Sequence, residues 1–79
     1  MQLESQSEKK MLEQQLQWTK EQIRILDEMD IKLHEMKKIA EYAAKHNLFA
    51  AEIEKLNSQM EELKGELSFL ESQRRTEFY

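Results

Sequence analysis

The chain of 79 residues contains no cysteine and no proline, and its only glycine is Gly65. The absence of cysteine excludes a disulfide-linked scaffold and a thiolate metal site, and it is typical of a protein in a reducing compartment. Because proline is absent and glycine occurs once, few residues would interrupt a helix. The abundant Glu, Lys, Gln, Leu, Ala and Met lose little conformational freedom in a helix. We expect an all-α chain.

Excess positive charge and long apolar runs are also missing. Twelve basic residues stand against sixteen acidic ones, which gives a net charge of −4. Such a balance argues against binding to nucleic acid or to an anionic membrane surface, since both need a basic surface. No apolar run approaches the roughly 20 residues of a membrane span, and the first residues lack the apolar core of a signal peptide. We predict a cytoplasmic protein without a nucleic-acid or membrane partner.

The sequence contains none of the usual combinations of catalytic or ligand-binding residues. No nucleophile stands beside a base, and no glycine-rich phosphate loop is present. His34 and His46 are twelve residues apart, which places them about 120° from each other around a helix. Met29 and Met36 have the spacing of core residues, where methionine usually fills gaps. The prediction is a protein that is not an enzyme and has no cofactor, no metal and no small-molecule substrate.

Apolar residues recur at alternating intervals of four and three in both halves of the chain, as at the a and d positions of a coiled-coil helix. In the first half this series is interrupted by Asp30, which we place at the rim of the seam, with a buried polar residue that selects register as the alternative. In the second half the series is unbroken. The first series consists of Leu12, Leu16, Thr19, Ile23, Leu26, Leu33, Lys37, Ala40 and Ala44, and the second of Phe49, Ile53, Leu56, Met60, Leu63, Leu67 and Leu70.

The two heptad frames are out of step by two residues, which rotates the seam by about 200° in a continuous helix. A turn between the halves would let both seams face each other. We therefore predict an antiparallel helical hairpin, with one long continuous helix in an oligomeric coiled coil as the alternative. The predicted boundaries are a frayed polar segment over 1–10, helix 1 over 11–46, a turn at 47–48 and helix 2 over 49–76, in a single domain.

Asn47 is the residue on which the predicted turn depends. It could end the first helix in a left-handed conformation, with Lys45 and His46 in the last turn, where cations complement the helix dipole. It could instead cap the second helix.

Helix 1 carries a second apolar series at positions c and g of its heptads. Together the two series span an arc of about 150°, which is wider than one neighbouring helix can cover. We expect helix 2 to pack on the a/d half and a second molecule to pack on the c/g half, giving a homodimer that forms a four-helix bundle. The predicted intermolecular interface consists of Met11, Trp18, Ile25, Met29, Met36, Ile39 and Ala43.

The residues around the turn are apolar on nearly all sides of the helix, and Tyr42, Leu48 and Phe49 form a candidate docking patch for a partner protein. The leading hypothesis is a small coiled-coil protein that self-associates and serves as an interaction scaffold, adaptor or regulator. The alternatives are a heteromeric module that seats an amphipathic helix of a larger partner, and a structural rod of continuous helices.

Overall fold

The computed structural model describes the backbone of residues 2–74 and the side chains of residues 6–74. It contains two α-helices, α1 (Gln2–Lys45) and α2 (Ala50–Arg74), which pack against each other as an antiparallel hairpin 71 Å long. The predicted all-α hairpin is confirmed, and the alternative of one continuous helix is wrong. The helix is continuous from Gln2, whereas the sequence predicts a frayed segment over 1–10. The last two residues predicted for helix 2, 75 and 76, lie outside the described residues.

Ion pairs between side chains on successive turns stabilise the helical conformation of α1. The Arg24 guanidinium lies 2.8 Å from a carboxylate oxygen of Glu21 and 2.6 Å from one of Glu28. The hydrogen bond to Glu21, together with the negative charges of both carboxylates, raises the pKa of Arg24 above its ordinary value. Pairs at this spacing each contribute a few tenths of a kcal/mol to a helix.

The chain reverses through residues 46–49, close to the predicted position, but not by the chemistry predicted for Asn47. No described non-glycine residue has a positive φ, so Asn47 is not a left-handed cap. It does not cap α2 either, because the carbonyl of Phe49 accepts the first hydrogen bonds of that helix, from the amides of Glu52 and Ile53. Both predicted roles of Asn47 are therefore wrong.

His46 closes the carboxyl end of α1 instead. Its Nδ1 lies 2.8 Å from the carbonyl oxygen of Tyr42, and its ring stacks on the Tyr42 ring at a centroid distance of 4.2 Å. A carbonyl oxygen can only accept a hydrogen bond, so Nδ1 is the protonated nitrogen of the ring and donates the hydrogen bond. One of the carbonyls that a helix end leaves unpaired is thereby satisfied.

The unbroken seam of α2 forms its side of the contact with α1. Leu63 and Leu70 are buried, and Leu56, Met60 and Leu67 are half-buried. The prediction that this seam faces the first helix is correct for these five residues. Ile53 is exposed near the start of α2, and Phe49 lies in the turn.

An ion pair joins the two helices across their contact. Lys32 Nζ of α1 lies 2.8 Å from Glu66 Oε2 of α2, an oxygen that is shielded from solvent. The contact is an ion pair without the geometry of a regular hydrogen bond. This contact is the main reason that the pKa of Lys32 is raised, against a smaller opposing effect of desolvation.

The two helices differ in length, so α1 extends well beyond the described end of α2. Arg74 follows Glu66 by eight residues, and Arg24 precedes Lys32 by eight. Since the helices are antiparallel, α2 ends roughly level with Arg24. Residues 2–23 therefore form an overhang of about 33 Å.

Candidate interaction surface

The residues predicted for the intermolecular interface do not form one exposed surface. Ile25 is only 2% exposed, and Met29, Met36 and Ile39 are half-buried on the same side of α1. This side packs against α2 of the same chain. The remaining three predicted residues, Met11, Trp18 and Ala43, are exposed.

The a/d half of α1 is the half that stays exposed. Ile23 is 53% exposed, Leu26 45% and Leu33 49%. The prediction that α2 covers the a/d half of α1 and leaves the c/g half free is therefore wrong, and the two halves are exchanged. We call the exposed series the outer face of α1; it consists of Leu12, Leu16, Thr19, Ile23, Leu26 and Leu33, with Asp30 among them.

Charge explains why α2 takes the c/g half. Packing on the a/d half would bury Asp30 and Lys37, whose side chains are 71% and 74% exposed in the structure. An unpaired buried charge is strongly unfavourable. The c/g half has one charged residue between Ile25 and Ala43, Lys32, and this residue has Glu66 as its partner.

The outer face is an apolar stripe on one side of α1, interrupted by Thr19 and Asp30. From Leu12 to Leu33 it follows α1 for about 32 Å. Its five aliphatic side chains are each close to half exposed or more. Contiguous apolar patches of this kind on small proteins usually mark interaction sites. Sequence reasoning identified every one of these residues but assigned them to the hairpin core.

The residues predicted as the apolar turn region, Tyr42, Leu48 and Phe49, lie together at the tip of the hairpin. Phe49 is 79% exposed, Tyr42 is exposed beneath the His46 ring, and Leu48 is half-buried. Ile53 lies one turn further along α2 and is also exposed. The tip of the hairpin is therefore apolar.

A groove of the hairpin has a volume of about 690 Å³ and is open to solvent. Charged residues of both helices line it, with Gly65 and Phe69 of α2. Within residues 6–74 no group of three or more His, Asp or Glu side chains has the geometry of a metal site. His34 and His46 each contact a carbonyl one turn earlier in α1.

Neither described helix has the length and apolar character needed to cross a membrane. No family model, curated protein or solved structure matches this chain, so the hairpin and its outer face are the features from which its function must be inferred.

Proposed function

We propose that this chain is a non-enzymatic helical-hairpin protein that self-associates through α1 and acts as a small scaffold, adaptor or regulator of protein–protein interaction. The observation that carries the proposal is the exposed outer face. It leaves Ile23, Leu26 and Leu33 in water along a helix whose opposite half is covered by α2.

The surface involved differs from the one predicted by the sequence. Ile25 cannot anchor a contact with another molecule while it is buried against α2. The outer face is free in the hairpin, and a two-fold dimer would use it twice, since such symmetry makes one patch serve both molecules. Two hairpins joined in this way would supply the four helices of a bundle.

Sedimentation equilibrium at micromolar concentration tests this proposal. We expect the wild-type protein to have twice the 9.6 kDa mass of one chain. The double variant Ile23→Glu/Leu26→Glu should sediment as a monomer that retains the helical circular dichroism of the part of the hairpin where α1 packs on α2, because both side chains lie outside that contact.

Ile31→Glu is the matched control. Ile31 is 56% exposed on α1 and lies outside the outer face, about 140° from Leu26 and about 80° from Ile23 around the helix. Its substitution should leave the dimer mass unchanged. A wild-type monomer at all accessible concentrations would contradict the proposal, and so would equal dissociation by Ile31→Glu.

The exposed tip favours a second candidate, a heteromeric module that seats an amphipathic helix of a larger partner near Phe49. The same measurement separates the two candidates. A protein that serves only as a heteromeric module has no self-association through α1, so the wild type would remain at 9.6 kDa.

A further inference from the structure

We infer that the occupant of the outer face is a second copy of α1 in antiparallel orientation, with the two-fold axis passing between residues 24 and 25. This inference rests on the proposed self-association and adds its orientation and register. In this arrangement Ile23 of one copy meets Leu26 of the other, Leu16 meets Leu33, and Thr19 meets Asp30.

Like charges exclude the parallel orientation. In a parallel two-stranded coiled coil each seam position meets the same position of the partner helix. Asp30 would then face Asp30 and Lys37 would face Lys37, both within the contact. An antiparallel pair places a positions opposite d positions instead, so neither charge meets itself.

Asp30 then selects the register. Antiparallel registers that keep a opposite d differ by steps of seven residues. Moving by one step in either direction brings Asp30 against Leu12 or against Leu26, where the second copy offers its carboxylate no polar partner and the carboxylate would lose water at a cost.

The inferred register gives Asp30 a hydroxyl partner in Thr19. In the hairpin the Thr19 Oγ1 donates to the carbonyl of Gln15 at 2.9 Å. Threonine adopts two χ1 rotamers in helices, so a rotation can redirect the same proton to the carboxylate of the second copy. Lys37 meets Leu12 in this register, where its aliphatic stem can cover the leucine while the ammonium stays in water.

Charges beside the seam independently favour the same register. The e position is the residue that follows each d position, and in an antiparallel pair the e positions of the two helices meet one another. Here Lys20 meets Asp27, and Glu13 meets His34. One step in one direction places Lys20 against Lys20 and Glu13 against Asp27; one step in the other places Asp27 against Asp27. Neither Lys20 nor Asp27 has an ion-pair partner among the described residues of the hairpin, so both are available for the contact.

The position of α2 is compatible with this arrangement. The e positions lie on the side of the outer face away from α2, and the g positions Met29 and Met36 lie on the side toward it, where they are half-buried. In an antiparallel pair the g positions of both copies are on the same side. Both copies of α2 would therefore lie side by side, as a four-helix bundle requires.

A charge exchange between Lys20 and Asp27 tests the register. Lys20→Glu alone, or Asp27→Lys alone, places like charges at both symmetric contacts, and we expect the dimer dissociation constant to rise about tenfold at low salt. An equimolar mixture of the two variants should recover near wild-type affinity as a heterodimer, because each contact again joins opposite charges. Lys38→Glu, the same charge change at an exposed position away from the outer face, should have a smaller effect and should not be rescued by Asp27→Lys.

Cysteine cross-linking gives a second readout in a chain that has no cysteine of its own. The variant Thr19→Cys/Asp30→Cys should form a covalent dimer on mild oxidation. The two positions are about 16 Å apart along one helix, too far for a bond within the chain. Thr19→Cys alone should not cross-link, since its two copies are far apart in the antiparallel register.

The outcomes separate this inference from the proposal on which it rests. A wild-type monomer would overturn both. A wild-type dimer whose charge variants are not rescued by mixing, or a covalent dimer from Thr19→Cys alone, would overturn the antiparallel register and leave self-association standing.

Discussion

Ile25 and Leu26 are neighbours in the sequence with opposite surroundings. Ile25 is buried against α2, whereas nearly half of Leu26 is in water. Both belong to the wide apolar arc that the sequence predicts for the first helix. The arc could be recognised from spacing alone, but which half of it α2 would cover depended on the cost of burying Asp30 and Lys37, a comparison that heptad spacing does not contain.

Replacement of Ile25 should destabilise the hairpin itself. We expect Ile25→Ala to lower the free energy of unfolding by about 2 kcal/mol, because it removes a buried aliphatic side chain and leaves a cavity in a contact that can partly relax. Urea denaturation followed by circular dichroism at fixed protein concentration would measure this change.

Ile31→Ala provides the control for the same loss of side-chain atoms at an exposed position of α1. Its effect should stay within about 0.5 kcal/mol. Similar losses for the two variants would contradict the assignment of Ile25 to the contact with α2.

At the scale of the helices, α2 was the easier element to predict. Its seam is one helix face wide, so spacing alone identified Leu56, Met60, Leu63, Leu67 and Leu70 as the residues that meet α1. The position of the turn followed from the mismatch between heptad frames. Its chemistry did not, because the hydrogen bond and ring stacking of His46 on Tyr42 depend on side-chain geometry that residue preferences at Asn47 do not reveal.

Gly65 is a weak point within α2 that the structure does not require. A Cβ atom at this position would meet nothing within 4 Å, and no described glycine has a positive φ. Gly65→Ala should therefore raise the free energy of unfolding by about 1 kcal/mol, through the better helix propensity of alanine. Thermal and urea unfolding at matched concentration would measure the gain.

Self-association should be unaffected by this substitution, since Gly65 lies on α2 and not on the outer face of α1. A loss of stability in Gly65→Ala, with or without a change in mass, would show that the groove at this position is filled by a close contact in solution.

For the whole molecule, the inferred two-fold axis lies close to the middle of α1, which spans Gln2–Lys45. Two copies joined there overlap along almost the whole length of α1. The dimer should therefore be thicker than the hairpin but scarcely longer.

Small-angle X-ray scattering can measure this difference. We expect a dimer with a maximum dimension below about 85 Å, close to the 71 Å length of one hairpin. A dimer that joined only the two overhangs would reach about 110 Å. The monomeric variant Ile23→Glu/Leu26→Glu should show half the mass, and a wild-type dimer with a maximum dimension of about 110 Å would rule out the central axis.

The unequal lengths of α1 and α2 divide α1 into parts that are held in place differently. The part from Arg24 onward packs on α2 of its own chain, so its order does not depend on how much protein is present. Residues 2–23 extend past the described end of α2, and most of the stability of a helix in a protein comes from packing against a neighbour, which this segment lacks in the hairpin. If a second copy supplies its neighbour, the order of this segment follows mass action. The helical order of the overhang would then rise with the concentration of the protein, and it would be complete only at concentrations where the dimer forms.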